Sequence, residues 1–106
     1  MDIEGTSILD REGFHSTFSN AFGFPEYYGR NMDAWIDCMT TLDDPEPQSD
    51  LSVKEGDFVV LKVESAEIVQ SKSPEIWKDI NECVAFVNFR RMEAGHQPIL
   101  ALAYSI

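Results

Sequence analysis

The chain has 106 residues, with 19 Asp and Glu against 8 Lys and Arg, giving a formal net charge of −11. That length predicts one domain over residues 1–106 with its own core, and a charge of this sign argues against nucleic-acid or anionic-membrane partners and for a cationic protein partner. No charged-then-apolar leader opens the sequence and no apolar run approaches the roughly 18 residues of a membrane span, so a soluble, cytoplasmic protein is expected, monomeric when free at this size.

The charge is uneven. Residues 1–50 carry 11 acids and 2 bases, whereas residues 51–106 carry 8 acids and 6 bases. At the start, Met1 and Ile3 alternate with acids, which predicts a short strand over residues 1–4 ended by a Gly5-Thr6 turn. Asp10 caps a predicted helix running to about Phe22, in which Phe14, Phe18 and Phe22 repeat at i, i+4 and i+8 before Gly23 stops it. His15 lies on the flank of that stripe and is read as a structural or solvated histidine with no functional role. Phe24-Pro25 forces an extended segment, and Gly29 supplies the freedom for the turn after Tyr27-Tyr28.

Asn31 caps a second predicted helix over residues 32–42, with Met32, Trp35, Ile36 and Met39 on its apolar side. Asp33, Asp37, Thr40 and Asp44 fall within about 60° of one another on the other side, a single acidic line offered to a partner. Like charges at i and i+4 repel by about 0.2–0.5 kcal/mol. No Lys or Arg within a turn relieves them, so folding alone does not explain the pair. Residues 43–57, which combine two prolines, one glycine and six acids, read as a long loop. The run 58–63 is apolar and β-branched as in a buried strand, and a helical turn follows over residues 66–70. Ser73 and Pro74 open a long helix that Gly95 ends, and residues 99–104 form a last apolar strand. In the long helix Ile76, Ile80, Cys83, Val84 and Val87 define the core stripe. Phe86 and Phe89 point elsewhere, expected to be covered by the loop or a neighbouring helix; a second contact surface with Arg90 and Arg91 is the alternative. Cys38 and Cys83 match no metal spacing and are read as free core thiols.

Pro25-Glu-Tyr-Tyr-Gly-x-Asn-x-Asp-Ala-x-x-Asp-Cys-x-Thr40 resembles the motif of the barstar family, intracellular inhibitors of barnase-type ribonucleases. The resemblance extends without a gap through Ile3, Gly5, Ile8, His15, Phe18 and Phe22, and resumes at Gln70-Ser71-Lys72, Gly95 and the final apolar run. Only about residues 43–57 lie outside it, where the family lacks an insertion of this length. It implies an α/β fold with a small three-stranded parallel sheet packed with helices, in strand order 2-1-3. It also implies an inhibitor or immunity protein with no catalysis and no cofactor, which blocks a basic ribonuclease by phosphate mimicry. In that scheme Asp37 takes the phosphate position, Asp33 pairs with a second cation, and Tyr27 packs on the catalytic imidazole. Gly29, Asn31 and Thr40 make surrounding hydrogen bonds, and Leu42 sits at the rim.

Three departures accompany the match: Trp35-Ile36 stands for Leu-Trp, Arg30 for an acid, and Arg90 near the place of an acid on the last helix. Two arginines fit poorly against a uniformly basic cleft, which implies a target surface carrying some acid. A module binding a non-nuclease toxin is the second reading. An enzyme is the third, disfavoured because no nucleophile motif, metal-ligand cluster or glycine-rich phosphate loop is present. DNA mimicry would need a longer, more regular acidic spacing.

Overall fold

The computed structural model describes residues 1–105. Its elements are β1 (Asp2–Glu4), a 3-10 turn (Gly5–Ser7), α1 (Arg11–Phe22), α2 (Met32–Thr40), β2 (Val59–Glu64), α3 (Ala66–Lys72), α4 (Pro74–Glu93) and β3 (Leu100–Tyr104). The three strands are all parallel, so the fold is α/β as expected. The strand order is β1-β2-β3, which corrects the expected 2-1-3. A three-residue strand of alternating acids suits an edge, whereas the longer apolar run that becomes β2 can be paired along both sides. Register places Ile3 opposite Val63 and Leu61 opposite Leu102, so these side chains share the core face.

That register also shows that β2 is buried on one face only. Leu61 and Val63 are inside, while Phe58 and Val60 remain exposed at 60% and 40%. A continuous apolar run therefore did not mean burial on both sides. The helices supply the other half of the core. Phe14, Phe18 and Phe22 of α1 are buried, and Trp35 of α2 meets Phe18 edge to face at 5.5 Å. These aromatic groups each remove a large apolar area from water.

Capping follows the residues expected in α1 and α2. The Asp10 side chain accepts from Gly13 N, and the Asn31 side chain from Ala34 N. Gly23 adopts φ 66°, and a Cβ there would lie 2.6 Å from Asp50, so only glycine suits the stop of α1. Several element ends shift: α2 stops at Thr40, α3 extends to Lys72, β2 spans Val59–Glu64 and β3 starts at Leu100, while Ser73 holds the N-cap position of α4 without a side-chain bond to the helix. The Ser73 hydroxyl instead donates to the Leu9 carbonyl, tying the start of α4 to the approach to α1. Residues 43–57 form no helix or strand, yet they are held down by Asp50 N to Gly23 O, Leu51 N to Phe22 O and Val53 N to Leu42 O.

Two polar side chains lock α4 to its neighbours. Asn88 accepts from the amides of Ile99 and Leu100 and donates to Leu100 O, fixing the entry to β3. Arg91 is 5% exposed; its Nη1 and Nη2 bind both carboxylate oxygens of Asp43 at 2.8 and 2.7 Å, Nη1 reaches Thr40 O, and Nε reaches Gln97 O. This excludes Arg91 from an exposed contact surface. Phe86 and Phe89, in contrast, are 46% and 56% exposed, so neither the loop nor a helix covers them as expected.

The Arg91 hydrogen bonds hold the Asp43 carboxyl below its ordinary value of 3.8. The folded state therefore binds this proton less readily than the unfolded chain, so the stabilisation is present above 3.8 and lost as pH falls through the lowered value. Asp43→Asn strands a buried guanidinium and should cost about 3–5 kcal/mol in urea unfolding at neutral pH. The cost should shrink as pH falls below 3.8, because the wild-type protein loses its advantage there.

Candidate functional site

The segment from Pro25 to Asn31 leads into the N-terminus of α2 and is held by its own polar side chains. The left-handed residue of the turn is Arg30, at φ 53°, and not Gly29. Such a conformation costs a non-glycine residue about 1–2 kcal/mol. It is offset where the Arg30 guanidinium folds back on α1, donating to Glu12 O at 3.1 Å and Ser16 Oγ at 2.8 Å. Asn31 caps α2 through its oxygen and donates from its amide nitrogen to Gly29 O at 3.3 Å, so one side chain sets both the helix start and the Gly29 peptide.

The two tyrosines divide as their neighbours dictate. Tyr28 is buried against Phe24 and His15, whereas Tyr27 is 75% exposed. Burial raises the Tyr28 phenol well above its usual range, so it keeps its proton, and its hydroxyl is hydrogen-bonded to His15 Nδ1 at 2.5 Å, the direction set by the tautomer of the ring. Burial, then Arg30 and Arg11, lower the His15 pKa, which favours the neutral ring. The histidine read from sequence as a flank residue is thus the inner support of the tyrosine loop.

Along α2, Asp33 and Asp37 are both exposed. Asp33 lies in the first turn, where the helix dipole favours an anion by about 0.3–1 kcal/mol and offsets its repulsion with Asp37. Asp37 is not left without a cation: Arg90 Nη1 of α4 lies 3.6 Å from its Oδ1. This corrects the reading of an unrelieved pair, since the relief comes from a different helix. The acidic line also ends early. The Thr40 hydroxyl donates to Ile36 O at 2.6 Å, and Asp44 lies beyond the end of α2. Leu42 is fully buried and offers no side-chain surface at a rim, a correction that follows from its place in the core.

Tyr27, Gly29, Ala34, Asp37, Cys38 and Gln48 line a cavity of about 160 Å³ between the tyrosine loop and α2. The structure thus brings Tyr27, Gly29 and Asp37 to one depression, with Asn31 and Asp33 exposed nearby. Gln48 belongs to this face and was not expected there; Arg90 was expected against a partner's cleft, but its pairing with Asp37 was not. A Pro-rich loop gives no periodicity from which to place Gln48, and no local pattern links Arg90 to a carboxylate 53 positions earlier. Cys38 is buried, with its thiol pushed up to about 11, chiefly by burial, so it stays an unreactive thiol. Among the described residues, no group of three or more His, Cys, Asp or Glu side chains is arranged to hold a metal, and no helix is long and apolar enough to cross a membrane.

Two comparisons with known proteins bear on the chain. The family profile described as "Barstar (barnase inhibitor)" matches residues 1–102. A protein of Bacillus subtilis (strain 168) named "Putative ribonuclease inhibitor YrdF" is 42% identical over 38 residues, which cover 36% of this chain and 42% of that protein. The chain thus matches under half the length of that relative.

The support beneath the loop sets an expected outcome. Tyr28→Phe leaves the buried His15 Nδ1 without its hydrogen-bond partner and should cost about 1–3 kcal/mol, while Tyr27→Phe should stay within about 0.5 kcal/mol of wild type. With its folded pKa lowered, His15 contributes stability that is complete above its ordinary value of 6.5 and declines as pH falls below it. Thermal unfolding from pH 7.5 to 5.5 should show that decline in the wild-type protein and a shallower one in His15→Gln.

Proposed function

The chain belongs to the barstar family, and from that membership we propose that it inhibits a barnase-like ribonuclease by inserting the Asp37 face of α2 into the cleft where RNA binds. The observation that carries this reading is the convergence of exposed Tyr27, Gly29 and Asp37 on one depression. A ribonuclease cleft must bind a phosphodiester, so it presents cationic donors, and a carboxylate held at the right height satisfies them as a phosphate would.

Each residue then has a task. Asp37 takes the phosphate position, and Asp33 meets a second cation one turn earlier. Tyr27 lays its ring on the catalytic imidazole. The Gly29 backbone and the Asn31 side chain bond to the rim of the cleft. Thr40 has its hydroxyl proton committed to Ile36 O, so it can only accept from the partner. The loop and helix are braced before binding by the Arg30, Asn31 and His15–Tyr28 contacts, which lowers the ordering cost of association.

Titration of barnase with this protein should stop RNA cleavage at one equivalent, with no chemical change in either component. Association should slow as salt rises, because attraction between an acidic face and a basic cleft is screened beyond roughly 10 Å at 0.1 M ionic strength. Undiminished cleavage by every barnase-like nuclease tried, with capture of a non-nuclease toxin, would favour the toxin-binding reading instead.

Asp37→Ala separates site from scaffold. It deletes an exposed ion pair worth about 0–1 kcal/mol, so unfolding should change little. Binding should weaken by about 2–5 kcal/mol or more, a general figure drawn in part from barnase–barstar complexes themselves. Phe18→Ala should do the reverse, losing roughly 3–5 kcal/mol of folding stability through a core cavity. Clear destabilisation of Asp37→Ala with unchanged affinity would make Asp37 a structural acid.

A further inference from the structure

Arg90 places a cation of the protein itself on the carboxylate proposed to meet the partner. Its Nη1 stands 3.6 Å from Asp37 Oδ1, and its Cζ lies 5.7 Å from the centre of the Phe86 ring on the same helix. Both members of the ion pair are accessible, at 45% and 60% of their side-chain surface. An exposed pair of this kind holds its members together by no more than about fivefold over the separated state, so an incoming cation can displace Arg90 from Asp37.

Displacement does not remove Arg90 from the interface. It is anchored on α4 beside exposed Phe86 and Phe89, directly next to the α2 face. Once the partner's cation has taken Asp37, the guanidinium is left against a cleft of its own sign. Like charges brought together at an interface disfavour the wrong partner and are relieved only by a complementary group.

We infer that Arg90 is a specificity-determining residue: it competes with the partner's cation for Asp37, and the surface it fits pairs that cation with a neighbouring carboxylate for its own guanidinium. The inference rests on the ribonuclease-binding reading of α2. It implies a target whose basic cleft carries an acidic group at its edge, and weak engagement of a cleft that lacks one. Selection of this kind is a repulsive device, distinct from the attractive contacts of Asp33 and Asp37.

Barnase serves as the probe of a cationic cleft. Arg90→Gln should tighten its dissociation constant about two- to fivefold, Arg90→Glu should tighten it further, and Arg90→Lys should match wild type. Unchanged or weaker barnase binding by Arg90→Gln, with wild-type thermal unfolding, would overturn the inference and make Arg90 a residue that merely orients Asp37. In the protein without partner, the side-chain 15N resonance of Arg90 should move on Asp37→Asn and not on Asp33→Asn. A resonance indifferent to Asp37→Asn would overturn the competition. Should that resonance respond while wild type, Arg90→Gln and Arg90→Glu all fail to bind barnase, the ribonuclease reading itself falls; should all three bind with no gain from Arg90→Gln, only the specificity role falls.

Discussion

The arrangement of the exposed α2 face depends on the buried guanidinium of Arg91. It is the point at which α4, the C-terminal end of α2, the first residues of the long loop and the approach to β3 meet, through Thr40 O, Asp43 and Gln97 O. Replacing such a pair by well-packed apolar residues would often be neutral or stabilising, so net stability is a weak account of its presence. Its geometry is more informative. A planar fork with directed donors sets a register between two helices that apolar packing alone would leave looser. Because Arg91 is turned inward, its neighbour Arg90 is turned outward, about 100° around the helix, and falls on Asp37. One buried contact thus determines which charges the surface presents.

Charge and core are divided between the two sides of α2. Trp35, Ile36, Cys38 and Met39 bury one side, and Asp33 and Asp37 stand on the other. The Trp35-Ile36 order places the indole against Phe14 and Phe18, with no exposure, and leaves its Nε1 without a hydrogen-bond partner among the described residues. An unpaired buried donor costs about 1–3 kcal/mol, which the large apolar area of a fully enclosed indole offsets. A tryptophan at this position therefore belongs to the scaffold. The aromatic group available to a partner on this side is Tyr27, from the loop.

The loop itself combines a strained residue with heavy bracing. A left-handed arginine is uncommon, and here its own guanidinium bonds to α1 hold it. The Arg30 guanidinium is thereby tied to α1 although the residue stays exposed. Arg90, in contrast, is paired with the exposed carboxylate of Asp37, so the two arginines differ in what they engage.

Much of this was legible in the residues alone. Apolar repeats at helical spacing, capping residues at Asp10 and Asn31 and the glycine at position 23 specify local elements, because the forces that form them act over a few residues. The motif from Pro25 to Thr40 likewise showed which residues could form a face, since Asp33 and Asp37 share a helix side by periodicity and one of two adjacent tyrosines must be turned outward. Strand order, the exposed outer face of β2, the burial of Leu42 and Arg91, the His15–Tyr28 bond and the Arg90–Asp37 pair came only with the tertiary structure. Each joins groups separated in sequence or depends on which surfaces the helices cover. Short-range pattern carries no information about such contacts, because they arise when packing brings distant segments together and burial decides which polar groups must pair.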